Sequence, residues 1–245
     1  MSQRTAATGA DLVPLSDEKG ALDILTKSVL GLWETVNNLT RLRPTKRDRY
    51  RVTIFGSARV DPNHWVYAAV RDTAAELTRL GCDIVTGGGP GLMQAANEGV
   101  KLADADGTHQ KSVGIRVELP FEQDVNAFVT EAYEHKTFFT RLHHFVLVSD
   151  AFIVTPGGIG TVLETLMIWQ LLQVRHLHDT PLILAGKFWD GLIEWAKTEM
   201  LRPDVNLISP ADLQIPQILA DGPSIIRVIR EHHARWKARQ AQLPG

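Results

Sequence analysis

The stretch from Ala151 to Gln170, AFIVTPGGIGTVLETLMIWQ, constrains the fold more than any other part of the chain. A short apolar run ends at Thr155, and Pro156, Gly157, Gly158, Ile159 and Gly160 follow. From Thr161 the pattern turns helical, with Leu163, Leu166, Met167 and Gln170. A buried strand, a glycine turn and a helix start are the parts of a phosphate site. Glycines let the backbone come close to a ligand. The helix start offers free N–H groups and a partial positive charge. Glu164 lies three residues after Thr161 and so near the same helix face. A carboxylate there is badly placed for a phosphate and well placed for a sugar.

The same strand-to-glycine passage recurs twice upstream. RVTIF, Arg51 to Phe55, runs into Gly56, Ser57, Ala58 and Arg59. A helix from about Asn63 to Leu80 leads to a strand from Asp83 to Thr86, bounded by Gly81 and Gly87. GGGPGLMQAANEG, Gly87 to Gly99, then opens a third helix. Lys111 to Val117 reads as a strand, residues 118–126 as a loop broken by Pro120, and Phe128 to Ala132 as a short strand. His135 to Ser149 reads as a helix with Phe138, Leu142, Phe145 and Val146 on its apolar side. Beyond the opening stretch, Leu182 to Leu184 is a strand, Trp189 to Met200 a helix, Val205 to Ile208 a candidate further strand, and Ser224 to Ala238 a final helix.

This alternation predicts an α/β chain with a Rossmann-like, doubly wound, mostly parallel sheet in a single domain. Ligands of such sheets bind beyond the C-terminal strand ends. The three glycine turns fall at such ends, so they are expected to share one edge and build one pocket.

Ahead of that domain, residues 1–16 read as a flexible tail and 17–45 as a helix with a basic linker, leaving 46–245 for the nucleotide-binding fold. Leu22, Leu25, Val29, Leu32, Trp33, Val36 and Leu39 have helical spacing, and Ser16 or Asp17 can cap that helix. Arg41, Arg43, Lys46, Arg47, Arg49 and Arg51 form a basic cluster, read as a solvated linker in preference to an anion or partner contact.

Composition narrows the function classes. A chain of 245 residues, 44% hydrophobic and 22% charged, suits one large globular α/β domain. A net charge of -2 gives no sign of the clustered basic surface that a nucleic-acid partner requires. The single cysteine, Cys82, excludes an intrachain disulfide and a cysteine-rich zinc site, and fits a cytoplasmic location. No apolar run approaches ~20 residues, and the N-terminus lacks the core of a secretory signal, so no membrane association is expected. His143 and His144 are adjacent without a histidine at i+4, and His176 and His178 fall in a loop, so no metal is expected. No lysine follows Gly160 as a phosphate-loop pattern demands, which disfavours ATP hydrolysis of that kind. Gly87, Gly89 and Gly91 are followed by Met93 and Gln94 instead of a further glycine, which disfavours a nicotinamide or flavin dehydrogenase.

Read together, the motifs are more specific. PGGIGTVLE, Pro156 to Glu164, resembles the PGGxGTxxE signature of the LOG family. Gly87 to Gly99 resembles that family's second signature, and Gly56-Ser57 its first strand-end turn. The resemblance covers about Arg51 to Leu201. Members are often labelled lysine decarboxylase, yet no pyridoxal phosphate lysine motif is recognisable here. The resemblance implies a nucleoside 5′-monophosphate phosphoribohydrolase that cleaves the N-glycosidic bond to free base and ribose 5-phosphate without a cofactor. In some members the base is a cytokinin.

The resemblance also implies site residues. The catalytic pair corresponds to Arg141, in FFTRLHHF, and Glu164. Gly56, Ser57, Gly88, Gly89, Gly91, Gly157, Gly158, Gly160 and Thr161 correspond to nucleotide and phosphate contacts. Phe138 stands where plant-type members carry a methionine near the base, and two roles stay open for it, stacking on a purine or filling the core. Leu142 and Leu163 depart from the lysine and acidic residue of plant-type members, and the FFTR form looks closer to broad bacterial nucleotide nucleosidases. A second class of function is a nucleotide- or molybdenum-cofactor-binding carrier without chemistry, since some relatives of the family carry that cofactor. Family members are commonly dimers. The helix from Leu163 to Val174 is apolar on several sides, which fits either a homodimer (or higher homo-oligomer) or full burial within the fold.

Overall fold

The computed structural model describes residue 14 and residues 16–39, 47–118 and 125–243. Most of the expected N-terminal tail, together with Arg41, Arg43, Lys46 and Pro120, lies outside the described residues. The chain forms two compact units, Met1–Pro44 and Thr45–Gly245. The first contains helix α1, Glu18–Leu39, on which Leu22, Leu25, Val29 and Leu32 are exposed.

In the second unit β1 (Tyr50–Phe55), β2 (Cys82–Thr86), β3 (Ser112–Val117), β4 (Glu131–His135), β5 (Ala151–Val154), β6 (Leu182–Ala185) and β7 (Pro216–Leu219) form one sheet. Every pairing in it is parallel, in the order β4-β3-β2-β1-β5-β6-β7. The order reverses between β1 and β5, where Thr53 is opposite Phe152 and Phe55 opposite Val154. Such a reversal parts the two crossover connections and opens a crevice at the C-terminal strand ends.

Strand alternation sends successive side chains to opposite faces. Tyr50, Val52 and Ile54 meet α2 (Trp65–Arg79), α3 (Leu92–Ala103) and α7 (Gly222–Gln242) on one face. Phe55, Phe152 and Val154 meet α4 (Phe138–Val148), α5 (Ile159–Gln173) and the segment containing Trp189 and Ala196 on the other. That segment is a short 3-10 turn leading into α6 (Asp190–Trp195) and a π turn, Ala196–Met200. Burial on both faces is why β5 and β6 read as unbroken apolar runs.

Three local expectations are corrected. The strand expected over Phe128 to Ala132 is Glu131–His135 instead, because Asn126 closes a turn by accepting the Val129 N–H at 3.2 Å. As an edge strand, β4 carries mostly exposed residues, so apolar content is a poor guide to its position. Its extension moves the next helix start from His135 to Phe138, where Thr137 accepts the Thr140 N–H at 3.2 Å. Val205 to Ile208 adds no strand. Asn206 takes a left-handed φ of 45° in a turn closed by its N–H on the Arg202 carbonyl at 2.8 Å, and the seventh strand is β7.

The described part of the basic cluster is bonded into the N-terminal edge of the sheet. Arg47 pairs with Asp150, and Asp150 also accepts the Arg51 N–H at 2.9 Å. Arg49 Nη1 lies 2.9 Å from Asp83, a fully buried carboxylate that also accepts the Lys111 N–H at 2.9 Å. The solvated-linker reading is therefore wrong for Arg47 and Arg49. Periodicity gives no sign of such pairs, since the partners lie far away in sequence.

Candidate functional site

The three glycine turns meet at the β1/β5 reversal. The Ser57 N–H donates to the Pro156 carbonyl at 3.1 Å, and the Leu92 N–H donates to the Ser57 carbonyl at 2.8 Å. Thr155 Oγ1 donates to the Phe55 carbonyl at 2.8 Å. These bonds tie the turn after β1 to the turn after β5 and to the start of α3. Gly91 must be glycine for this approach. Its φ is 66°, and a Cβ there would lie 2.6 Å from the Ala58 carbonyl carbon.

The second turn is locked by a buried polar network absent from the sequence-based list. Thr86 Oγ1 accepts the Gly88 N–H at 2.9 Å and donates to Asn97 Oδ1 at 2.8 Å. Asn97 Nδ2 donates to Ser112 at 2.8 Å. Asn126 Nδ2 donates to the carbonyls of Gly88 and Gly89 at 3.1 and 2.9 Å and to Asn97 Oδ1 at 3.0 Å. Asn97 is wholly buried, and a buried amide needs such partners. Its place inside the glycine-rich stretch was a usable signal. Asn126, in an unpatterned loop, gave none.

Helix α5 begins at Ile159 after Gly158, and its first internal bond runs from the Val162 N–H to the Gly158 carbonyl at 3.0 Å. The N–H groups of Ile159, Gly160 and Thr161 precede that bond. Gly158, Ile159 and Gly160 are exposed, Gly157 is partly so, and Thr161 is buried. A helix start of this kind is a site for an anion.

One turn further on, Glu164 is buried and bonded to Arg141. Arg141 Nη1 lies 3.1 Å from Glu164 Oε1, with both side chains almost fully enclosed. Arg141 Nε donates to the Ile115 carbonyl at 2.9 Å, and its guanidinium carbon sits 5.2 Å from the Phe145 ring centre. A Cβ on Gly87 would lie 2.5 Å from Arg141 Nη2, so a glycine leaves room for the guanidinium there. Thus α4, α5 and the second glycine turn converge on one arginine. Burial raises the Glu164 carboxyl to about 7, while the charge and hydrogen bond of Arg141 pull it down without offsetting the burial. A carboxyl poised near neutrality can exchange a proton with substrate or water.

Phe138 opens α4 and is 49% exposed, so the core-filling role is excluded. His144, one turn after Arg141, lies 2.9 Å from His135 at the end of β4. Burial first, then the neighbouring His135, pushes His144 down to about 4, which leaves it neutral at physiological pH. Among the described residues no cluster of three histidine, cysteine or acidic side chains could hold a metal, and no helix is long and apolar enough to cross a membrane. Cys82 is a free, buried thiol.

Comparison with known proteins adds a family and a fold. The family model described as "Possible lysine decarboxylase" matches residues 93–229. Over 140 residues the chain is 30% identical to the pyrimidine/purine nucleotide 5′-monophosphate nucleosidase of Escherichia coli strain K12, covering 55% of this chain. The matched part is 30% of that relative's length. Among solved structures, the molybdenum cofactor carrier protein of Chlamydomonas reinhardtii superposes with a TM-score of 0.55 at 17% identity, over 76% of this chain and 99% of that one. The molybdenum cofactor binding protein of Rippkaea orientalis gives a TM-score of 0.54 at 19% identity, over 75% and 96%. At these identities the structural likeness concerns the fold alone.

Proposed function

We propose a function from the premise that this chain belongs to the LOG family, the family described as possible lysine decarboxylase. The chain hydrolyses the N-glycosidic bond of nucleoside 5′-monophosphates, releasing free base and ribose 5-phosphate. The observation that carries this reading is the enclosed Arg141–Glu164 contact, one helical turn from the exposed start of α5. A binding protein needs only the anion site. A buried carboxyl raised to about 7 beside an arginine is an added feature that chemistry uses.

In this reading the N–H groups at Gly158 to Thr161 and the Thr161 hydroxyl hold the 5′-phosphate. Ser57 and the backbone of Gly88, Gly89 and Gly91 line the sugar and base side. Glu164 acts as carboxylate, orienting a water toward C1′ and stabilising the oxocarbenium-like ribose as the base departs. Arg141 positions Glu164 and holds ribose or phosphate oxygens. Phe138, exposed at the head of α4, stacks on the base. No lysine or organic cofactor takes part.

The outward stripe of α5, with Ile159, Leu163 and Leu166 exposed, and Val174 exposed just past its end, supports a homodimer through this helix. A cytoplasmic location remains part of the proposal.

The deciding experiment incubates the protein with AMP, GMP and CMP and separates products by chromatography. Free base together with ribose 5-phosphate is the expected result, lost in Glu164→Gln. Tight nucleotide binding without base release from any nucleotide would instead favour the carrier function.

A further inference from the structure

On the sheet face opposite Arg141 and Glu164, a cleft of about 630 Å³ opens between α2 and the start of α7. Its floor includes Ile153, and Ala69 lies on its α2 wall. Trp65 and Phe188 also line it, and these rings are 73% and 57% exposed. The volume falls inside the ~300–1,000 Å³ range of small-molecule pockets. It is too small for a docked protein domain.

The chemistry of the lining is restrictive. Its hydroxyls are already engaged, Thr73 donating to the Ala69 carbonyl at 2.7 Å and Thr155 to the Phe55 carbonyl at 2.8 Å. Asp221 accepts the Ser224 N–H at 2.8 Å as the cap of α7, and hydrogen bonding from Ser224, its side chain first and its N–H second, holds the carboxyl low. Lys187 lines the cleft and is exposed, and its side chain makes no hydrogen bond or ion pair among the described residues. The cleft therefore offers apolar and aromatic surface, one uncommitted cation at Lys187, and one carboxylate, Asp221, already committed to the cap of α7. The sugar hydroxyls of a nucleotide would find few partners there, so it is not a second copy of the substrate site.

We propose that this cleft is a second ligand site, for a small ring-bearing organic anion whose ring lies against Trp65, Phe188 and Ile153 and whose charge meets Lys187. The site is independent of the hydrolase reading. Its occupant would lean on Pro156, another lining residue, whose carbonyl holds the Ser57 N–H.

The probe is 1-anilinonaphthalene-8-sulfonate, an aromatic ring system with one sulfonate, titrated by fluorescence into the full chain. One saturable component is expected to weaken at least about ten-fold in Ala69→Trp, which fills the cleft from an exposed helix position. It weakens several-fold in Lys187→Glu, a surface change that leaves folding intact, and is unchanged in Glu164→Gln. Thermal melts confirm that each variant is folded, and Lys187→Glu decides alone if Ala69→Trp is not. Binding indifferent to the cleft variants would overturn the proposal, because the probe would then sit on another apolar face. Binding that emerges only on dilution, as copies separate, would also overturn it, because a second copy would then be the occupant.

Discussion

The Ser57 N–H donates to the Pro156 carbonyl at 3.1 Å, joining the turn after β1 to the turn after β5 across the point where the strand order reverses. Residues about a hundred positions apart in sequence thereby form one rigid edge. The polar groups proposed to meet substrate stand on that edge or on the helices that start from it.

The packing of this edge leaves no room at Gly56. A Cβ there would run into Thr155 Oγ1 and lie 2.9 Å from Leu92 Cβ. Gly56→Ala is expected to lower stability by about 1–3 kcal/mol, as overpacking does. Chemical denaturation measures it. Unchanged stability would mean that the two turns are looser than this packing requires.

Asn126 holds the second glycine turn through the carbonyls of Gly88 and Gly89. Asn126→Ala leaves Asn97 with one partner fewer and is expected to cost about 1–2 kcal/mol. In the nucleosidase assay KM should rise more than kcat falls, because in the proposed reaction the turn lines the sugar side and does not supply the reacting carboxyl. A pure loss of kcat would contradict that assignment.

The Glu164 carboxyl, raised from 4.5 to about 7 by burial, links stability to pH. The folded state holds its proton more tightly than the unfolded state. The stabilisation is therefore full below the unfolded value, declines as pH rises through the folded value, and is gone above it. Glu164→Gln cannot titrate, so its stability relative to the wild type should improve between about pH 5 and about pH 8 by on the order of 1–3 kcal/mol. Denaturation curves at the two pH values test it, and parallel pH dependence in both proteins would refute the shift.

In the proposed reaction the same group is expected to govern the rate. If Glu164 works as a carboxylate, kcat/KM for AMP should climb as pH rises through about 7 and level off. A profile falling over that range would assign Glu164 the role of proton donor instead.

Arg141 reaches Glu164, the Ile115 carbonyl and the Phe145 ring from one guanidinium. Arg141→Lys keeps the charge but loses the planar fork, so only part of this set survives. Base release is expected to fall by about 10²-fold or more, with the acid limb of the pH profile moved upward as Glu164 loses its close partner. Activity near that of the wild type would remove Arg141 from the proposed machinery.

Sequence alone determined the features written in adjacent residues. The alternation of apolar strands with helices, the three glycine turns and the start of α5 could be read from spacing, because each depends on backbone conformation within a few positions. The signature from Pro156 to Glu164 indicated the family for the same reason. Tertiary structure decided what lies across those segments. Insertion of β5 beside β1 brings Pro156 to Ser57, and the packing of α4 against the sheet turns Arg141 onto Glu164. The same long-range order buries Asp83 and Asp150 beneath Arg49 and Arg47, shifts β4 to the polar run at Glu131, and leaves the cleft between α2 and α7 open. Contacts between distant residues depend on strand order and register, which no local pattern of residue types encodes.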